Sequence, residues 1–145
     1  MASNQTVDSN DTLHVTRVDA NGIGAKDSIT VGALLSSGLG FPSGSGGAVT
    51  QITSRTTGVT VNALSGTITL VSAAGSATPA TFTVTNSSVA VGDVIVLNQA
   101  SGTDHYHTKV TSVTAGHFDI DFNTTGGTTT EQPVFNFIVL KGAPA

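Results

Sequence analysis

The stretch His117-Phe118-Asp119-Ile120-Asp121-Phe122 decides the fold. Apolar and polar side chains alternate along it, which is the period of a strand with one buried face and one wet face. The same period returns in Ala80–Thr85, through Phe82 and Val84, and in Val134–Leu140, through Phe135, Phe137 and Val139. Working outward, further strands are expected at Val49–Thr53, Val59–Asn62, Thr67–Val71, Asp93–Asn98 and Tyr106–Val113, with Val94 and Val96 turned inward. Gly, Asn, Ser and Pro punctuate these runs, and Thr and Val, both suited to a pleated surface, recur throughout. Eight short strands between Ala48 and Lys141 predict an all-β fold, an antiparallel jelly-roll-like sandwich.

Upstream the pattern changes. Met1–Thr12 is polar and has nothing to bury, so it reads as an extended arm that becomes ordered only by docking on something else. Leu13–Val18 alternates as a strand, Asn21-Gly22 marks a turn, and Ser28–Val31 is its expected hairpin partner. Gly32–Gly47 is rich in Gly and Ser and forms a connection in which Leu34, Leu35, Leu39 and Phe41 are expected to pack. The chain therefore divides into residues 1–47 (arm, hairpin and connection) and 48–145 (sandwich).

Composition narrows the function. Only 10% of the 145 residues are charged, and the net charge is −4, where a soluble domain ordinarily carries about 25% charged residues. The surface must then be coated with Thr, Ser, Asn, Gln and Gly. Hydroxyls and amides lose less than ions do on desolvation, so such a surface suits packing against neighbours. Arg17, Lys26, Arg55, Lys109 and Lys141 are scattered singly, without the cationic cluster that phosphate binding needs, so nucleic acid is not an expected partner. No cysteine is present, which removes disulfides and thiolate chemistry. No apolar run approaches the length of a membrane span, and the first residues lack the charged and apolar regions of a signal peptide.

Chemistry-bearing patterns are few. Neither Ser43 nor Ser45 has glycine on both sides at the offsets of a nucleophile elbow. Asp119, Asp121 and Asn123 begin like a calcium loop, but Thr124 and Thr130 stand where that loop needs Gly and Glu, so the two acids read as the wet face of a strand. The same two acids make no glycosidase pair, since they share one strand and the chain has no Trp and one Tyr. His105-Tyr106-His107 places two imidazoles on one side of a strand, so His105 and His107 are the candidate metal ligands, against the plainer reading of exposed loop-edge histidines. No catalytic residue and no cofactor is expected.

The run Gly46-Gly-Ala-Val-Thr-Gln-Ile-Thr-Ser-Arg-Thr-Thr-Gly-Val-Thr-Val-Asn62, followed by Ser65-Gly66-Thr-Ile-Thr69, resembles a β-sandwich module of tailed-phage virion proteins. Phe82–Ser87, Asp93–Asn98, Ser101-Gly102 and Phe135–Lys141 extend the resemblance to about two-thirds of the chain. It implies a surface module of capsid decoration (cement) proteins or tail fibres, commonly homotrimeric, with no catalytic residues to carry over. His105-Tyr106-His107 departs from the more alanine-rich sequence usual there. The expectation is a structural protein on the capsid exterior, with the major capsid protein as partner, made in the host cytoplasm. The polar leading arm and the lack of a shaft-forming segment favour the head over the alternative, a tail-fibre or spike receptor-binding module.

Overall fold

The computed structural model describes residues 12–18, 24–30, 40–41, 45–125 and 129–142. The chain forms two compact units, Met1–Gly40 and Phe41–Ala145. In the first, β1 (Thr12–Val18) and β2 (Gly24–Thr30) pair antiparallel, in register from Thr12 opposite Thr30 to Val18 opposite Gly24. The Asn21-Gly22 turn, Leu34, Leu35 and Leu39, and all of the Met1–Thr12 arm but its last residue lie outside the described residues.

The second unit is built of strands alone among its described residues. They are β3 (Gly47–Thr50), β4 (Val59–Thr60), β5 (Ser65–Thr69), β6 (Ala73–Ala74), β7 (Ala80–Thr85), β8 (Val94–Ser101), β9 (Tyr106–Thr114), β10 (His117–Thr124), β11 (Thr130–Glu131) and β12 (Val134–Leu140). Two four-stranded sheets result, in the orders β4-β7-β10-β9 and β3-β5-β12-β8, with β6 and β11 forming a small ribbon. Among the described residues no helix is long and apolar enough to cross a membrane.

The two large sheets meet through the inward faces that the alternation predicts, giving a sandwich-like body. Phe118 of β10 lies 5.7 Å from Phe137 of β12, ring centre to ring centre, and Phe122 lies 5.9 Å from Phe135. Tyr106 closes one end at 5.6 Å from Phe135. Phe118, Phe135, Phe137, Ile68, Leu70, Ile120 and Val84 are fully buried. These tilted and edge-on ring pairs join apolar burial to favourable quadrupole geometry, so the contact between sheets rests chiefly on aromatic side chains.

Three features differ from the sequence-based expectation. Val94 and Val96 point outward, 56% and 48% exposed, while Ile95 and Leu97 pack on the core. Val94-Ile95-Val96-Leu97 is apolar at both parities, so its own period cannot choose a face; pairing does. Leu97 stands opposite Phe137 and Ile95 opposite Val139, and directly opposed residues share a face. Second, the sheets are mixed: β3 runs parallel to β5 and β4 parallel to β7. Parallel neighbours need a crossover of a dozen residues or more, and residues 51–64 supply it by visiting the other sheet as β4. Third, Phe41 is 41% exposed rather than packed.

The parallel β3–β5 contact depends on glycine. A Cβ on Gly66 would run into the Gly47 carbonyl and lie 2.9 Å from Phe137 Cε1. Gly66→Ala should therefore push β3 off its neighbour and lower unfolding free energy by about 1–3 kcal/mol, read by urea denaturation.

Candidate functional site

The outer face of the β3-β5-β12-β8 sheet has no ionisable side chain at its outward positions. On β12 these are Val134, Asn136, Ile138 and Leu140, and on β8 Val94, Val96, Asn98 and Ala100. Ser65, Thr67 and Thr69 continue the face on β5, and Ala48 and Thr50 on β3. Val96 stands opposite Ile138 and Val94 opposite Leu140, so four aliphatic side chains, 40–56% exposed, form one block at a corner of the face. The other outer face is ionic. There Asp119 and Asp121 accept the Thr83 and Thr81 hydroxyls at 2.6 and 3.2 Å, Lys109 lies 4.0 Å from Asp121, and His107 and His117 flank them. One molecule thus presents an uncharged outer face and an ionic one.

Such a face carries no charged acid or base at its outward positions, and its composition suits docking. Removing water from methyls, hydroxyls and amides leaves no stranded ion. At these exposures the aliphatic block amounts to roughly 300 Å², within the range in which a monomer's apolar patch is often functional. Beside it lies a shallow depression bounded by Ser65, Thr67, Asn136 and Ile138. Asn136 Oδ1 is buried there with no hydrogen-bond partner among the described residues.

The corner is held rigidly. Asp93, just before β8, accepts hydrogen bonds from the Lys141 ammonium, the Ala90 N–H (2.8 Å) and the Gly142 N–H (3.1 Å). It thereby staples the start of β8 to the end of β12, where Val94 meets Leu140. Hydrogen bonding from Lys141, with the backbone N–H groups, holds the Asp93 carboxyl below its ordinary value despite burial. At the far end, Arg55 uses all five guanidinium N–H groups. It donates to the carbonyls of Val71 (2.9 Å), Ala73 (2.6 Å), Ala74 (3.3 Å) and Glu131 (2.7 Å) and to the Tyr106 hydroxyl (2.9 Å). With its donors satisfied, Arg55 is a structural clamp and not an anion site, although it lines a cavity of about 290 Å³ beside Tyr106 and Phe122.

The candidate ligands His105 and His107 flank the buried Tyr106 and are both exposed. His107 stands opposite Asn123 on the ionic face. No third His, Asp or Glu joins them: among the described residues no group of three such side chains is placed to hold a metal ion. Asp119 and Asp121 occupy the wet face of β10, as the alternation predicts. Periodic reasoning missed Asp93, Arg55 and Glu131, because each acts at a strand end or loop where no period exists. The uncharged aliphatic corner itself was hidden by the wrong parity at Val94 and Val96.

Comparison with known proteins identifies no relative: no family model, no curated protein and no solved structure matches this chain.

Because the folded Asp93 carboxyl is lowered, its contribution to stability is present above the unfolded value of about 4 and disappears as pH falls through the folded value. Asp93→Asn should lower the thermal midpoint at pH 7 and flatten its decline below pH 4, measured by circular dichroism across a pH series.

Proposed function

We propose that this chain is a structural virion protein, a capsid decoration or cement protein that binds the outside of a tailed-phage head and bridges adjacent major capsid subunits. The observation that carries this reading is the uncharged outer face of the β3-β5-β12-β8 sheet, with its aliphatic block of Val94, Val96, Ile138 and Leu140. A standard protein interface buries about 800 Å² on each partner, and a patch of this size falls short alone. Repetition supplies the rest. A homotrimer spreads three copies of one weak contact over neighbouring capsomers, and linkage multiplies affinity without new contacts.

The remaining parts fit this role. The jelly-roll-like sandwich serves as a rigid plate over the junction between subunits. The polar arm Met1–Thr12 supplies a segment able to add to a neighbour's sheet edge through main-chain hydrogen bonds. Resemblance to phage virion modules through Gly46–Thr69 and Phe135–Lys141 supports the same assignment. The role involves no catalytic step, cofactor, nucleic acid or membrane, and the finished protein sits on the virion exterior.

Ile138→Lys tests the face directly. Ile138 is 40% exposed on the central strand, so this substitution costs folding about 1 kcal/mol, and circular dichroism confirms that the variant is folded before assembly, yet it places an ammonium in the contact. Virions assembled with it should lose the protein, as quantified by gel densitometry, while wild-type particles carry hundreds of copies. Retention of the variant at full occupancy sinks the proposal. A few to tens of copies per wild-type particle would instead assign the chain to a tail fibre or spike that recognises the host.

A further inference from the structure

A second site lies in the β8–β9 connection. Residues 99–105 wrap around a polar cavity of about 350 Å³ lined by Gln99, Ser101, Thr103, Asp104 and His105. The loop is braced from inside. The Gln99 side chain donates to the Asp104 carbonyl at 2.7 Å and accepts the Tyr106 N–H at 2.9 Å. Glu131 braces it from outside, its carboxylate accepting the N–H groups of Thr103 and Asp104. Gly102 adopts φ +122°, a backbone conformation that side chains rarely take, and this folds the loop onto Glu131 and Pro133.

Inside this braced loop Asp104 is 8% exposed, and its Oδ2 is buried with no hydrogen-bond donor among the described residues. Burying a carboxylate is costly unless it is paired or coordinates a cation. Glu131, whose carboxylate accepts the Asp104 main-chain N–H, carries the same sign. Its carboxyl is pushed up by burial, but the Thr103 and Asp104 N–H groups, the Tyr106 hydroxyl and the Arg55 charge more than offset this and hold it below its ordinary value. The loop therefore holds a buried carboxylate oxygen without a donor, in a turn braced by a second carboxylate and lined by hydroxyl, amide and main-chain oxygens.

We propose that this loop binds a calcium-sized divalent cation through Asp104, with loop carbonyls and water completing the shell. The donors are all hard oxygens, which disfavours zinc or copper. An irregular carbonyl-bearing loop meets the six to eight flexible contacts that calcium takes better than the strict octahedron of magnesium. A site with so few carboxylates belongs in the weak range, on the order of 10⁻⁴–10⁻³ M. Because it leans on main-chain oxygens, it needs no cluster of three acidic side chains. The bound ion would clamp the β8–β9 connection, which joins the two large sheets.

Tyr106, the only tyrosine in a chain without tryptophan, offers a direct probe. Terbium(III), a luminescent substitute for calcium, should show emission sensitised through Tyr106 in the full chain, displaced by millimolar calcium but not by equal magnesium. Asp104→Asn should abolish that emission, whereas Asp121→Asn, on the ionic face, should retain it. Calcium at several times its dissociation constant should also raise the wild-type thermal midpoint by about 4–8 °C. The wild-type titrations stand even if the Asp104 variant folds poorly. Absence of sensitised emission and of any calcium-induced thermal shift in wild type overturns the site, and so does emission undiminished in a folded Asp104→Asn.

Discussion

The body of this protein depends on the central position of β12. It pairs with β5 on one side and β8 on the other, and it drives Phe135, Phe137 and Val139 into the contact with β10. Strand geometry allows no independent choice for the residues between them. Once the phenylalanines face inward, Ile138 and Leu140 must face out, and β8, locked in register, must follow with Val94 and Val96. An exposed aliphatic corner is therefore the geometric counterpart of the core. What is particular to this chain is that no ionisable side chain shares the outward positions of that sheet, the nearest along the chain being the Asp93–Lys141 pair at the strand ends.

Polar side chains without periodic neighbours secure what the strands leave open. Arg55 reaches from the β3–β4 connection to the β6–β11 ribbon and to Tyr106, fixing the loops that cap one end of the core. Buried Asn86 does similar work elsewhere: its Nδ2 donates to the Ala63 carbonyl at 2.7 Å, its Oδ1 accepts the Ser88 N–H, and its own N–H donates to Gly116. Each of these groups is buried or half-buried and paired, the condition under which polar burial stabilises rather than strains a fold.

Much of the architecture was legible in the amino-acid order. Phe82, Val84, Phe118, Ile120 and Phe122 alternate cleanly and all are buried, because each stands between polar neighbours that mark the other face, and in β12 the phenylalanines flanking Asn136 mark the inward side. Legibility failed where that contrast vanished. Val94–Leu97 offers two equivalent faces, and only the Phe137–Leu97 register, a relation between segments forty residues apart, breaks the tie. The parallel pairs were hidden for the same reason, since strand direction within a sheet is not written in either strand alone. The uncharged face follows from both, which is why composition indicated a charge-poor surface without locating it. The Asp104 loop carries no spacing signal of its own, as its character arises from Gln99 and Glu131 closing over it.

The interlaced path of the chain has a further consequence, for kinetics. From β3 to β7 consecutive strands pass back and forth between the sheets, so that β3 cannot meet β5, nor β4 meet β7, until intervening segments have found partners of their own. Pairings of this nonlocal kind charge loop-closure entropy before they return any contact energy, which slows the search for the native state. The same threading impedes the reverse process: β3 can leave as an edge strand, but β12, held between β5 and β8, is released only when both neighbours separate. A chain so woven acquires its shape late and surrenders it reluctantly.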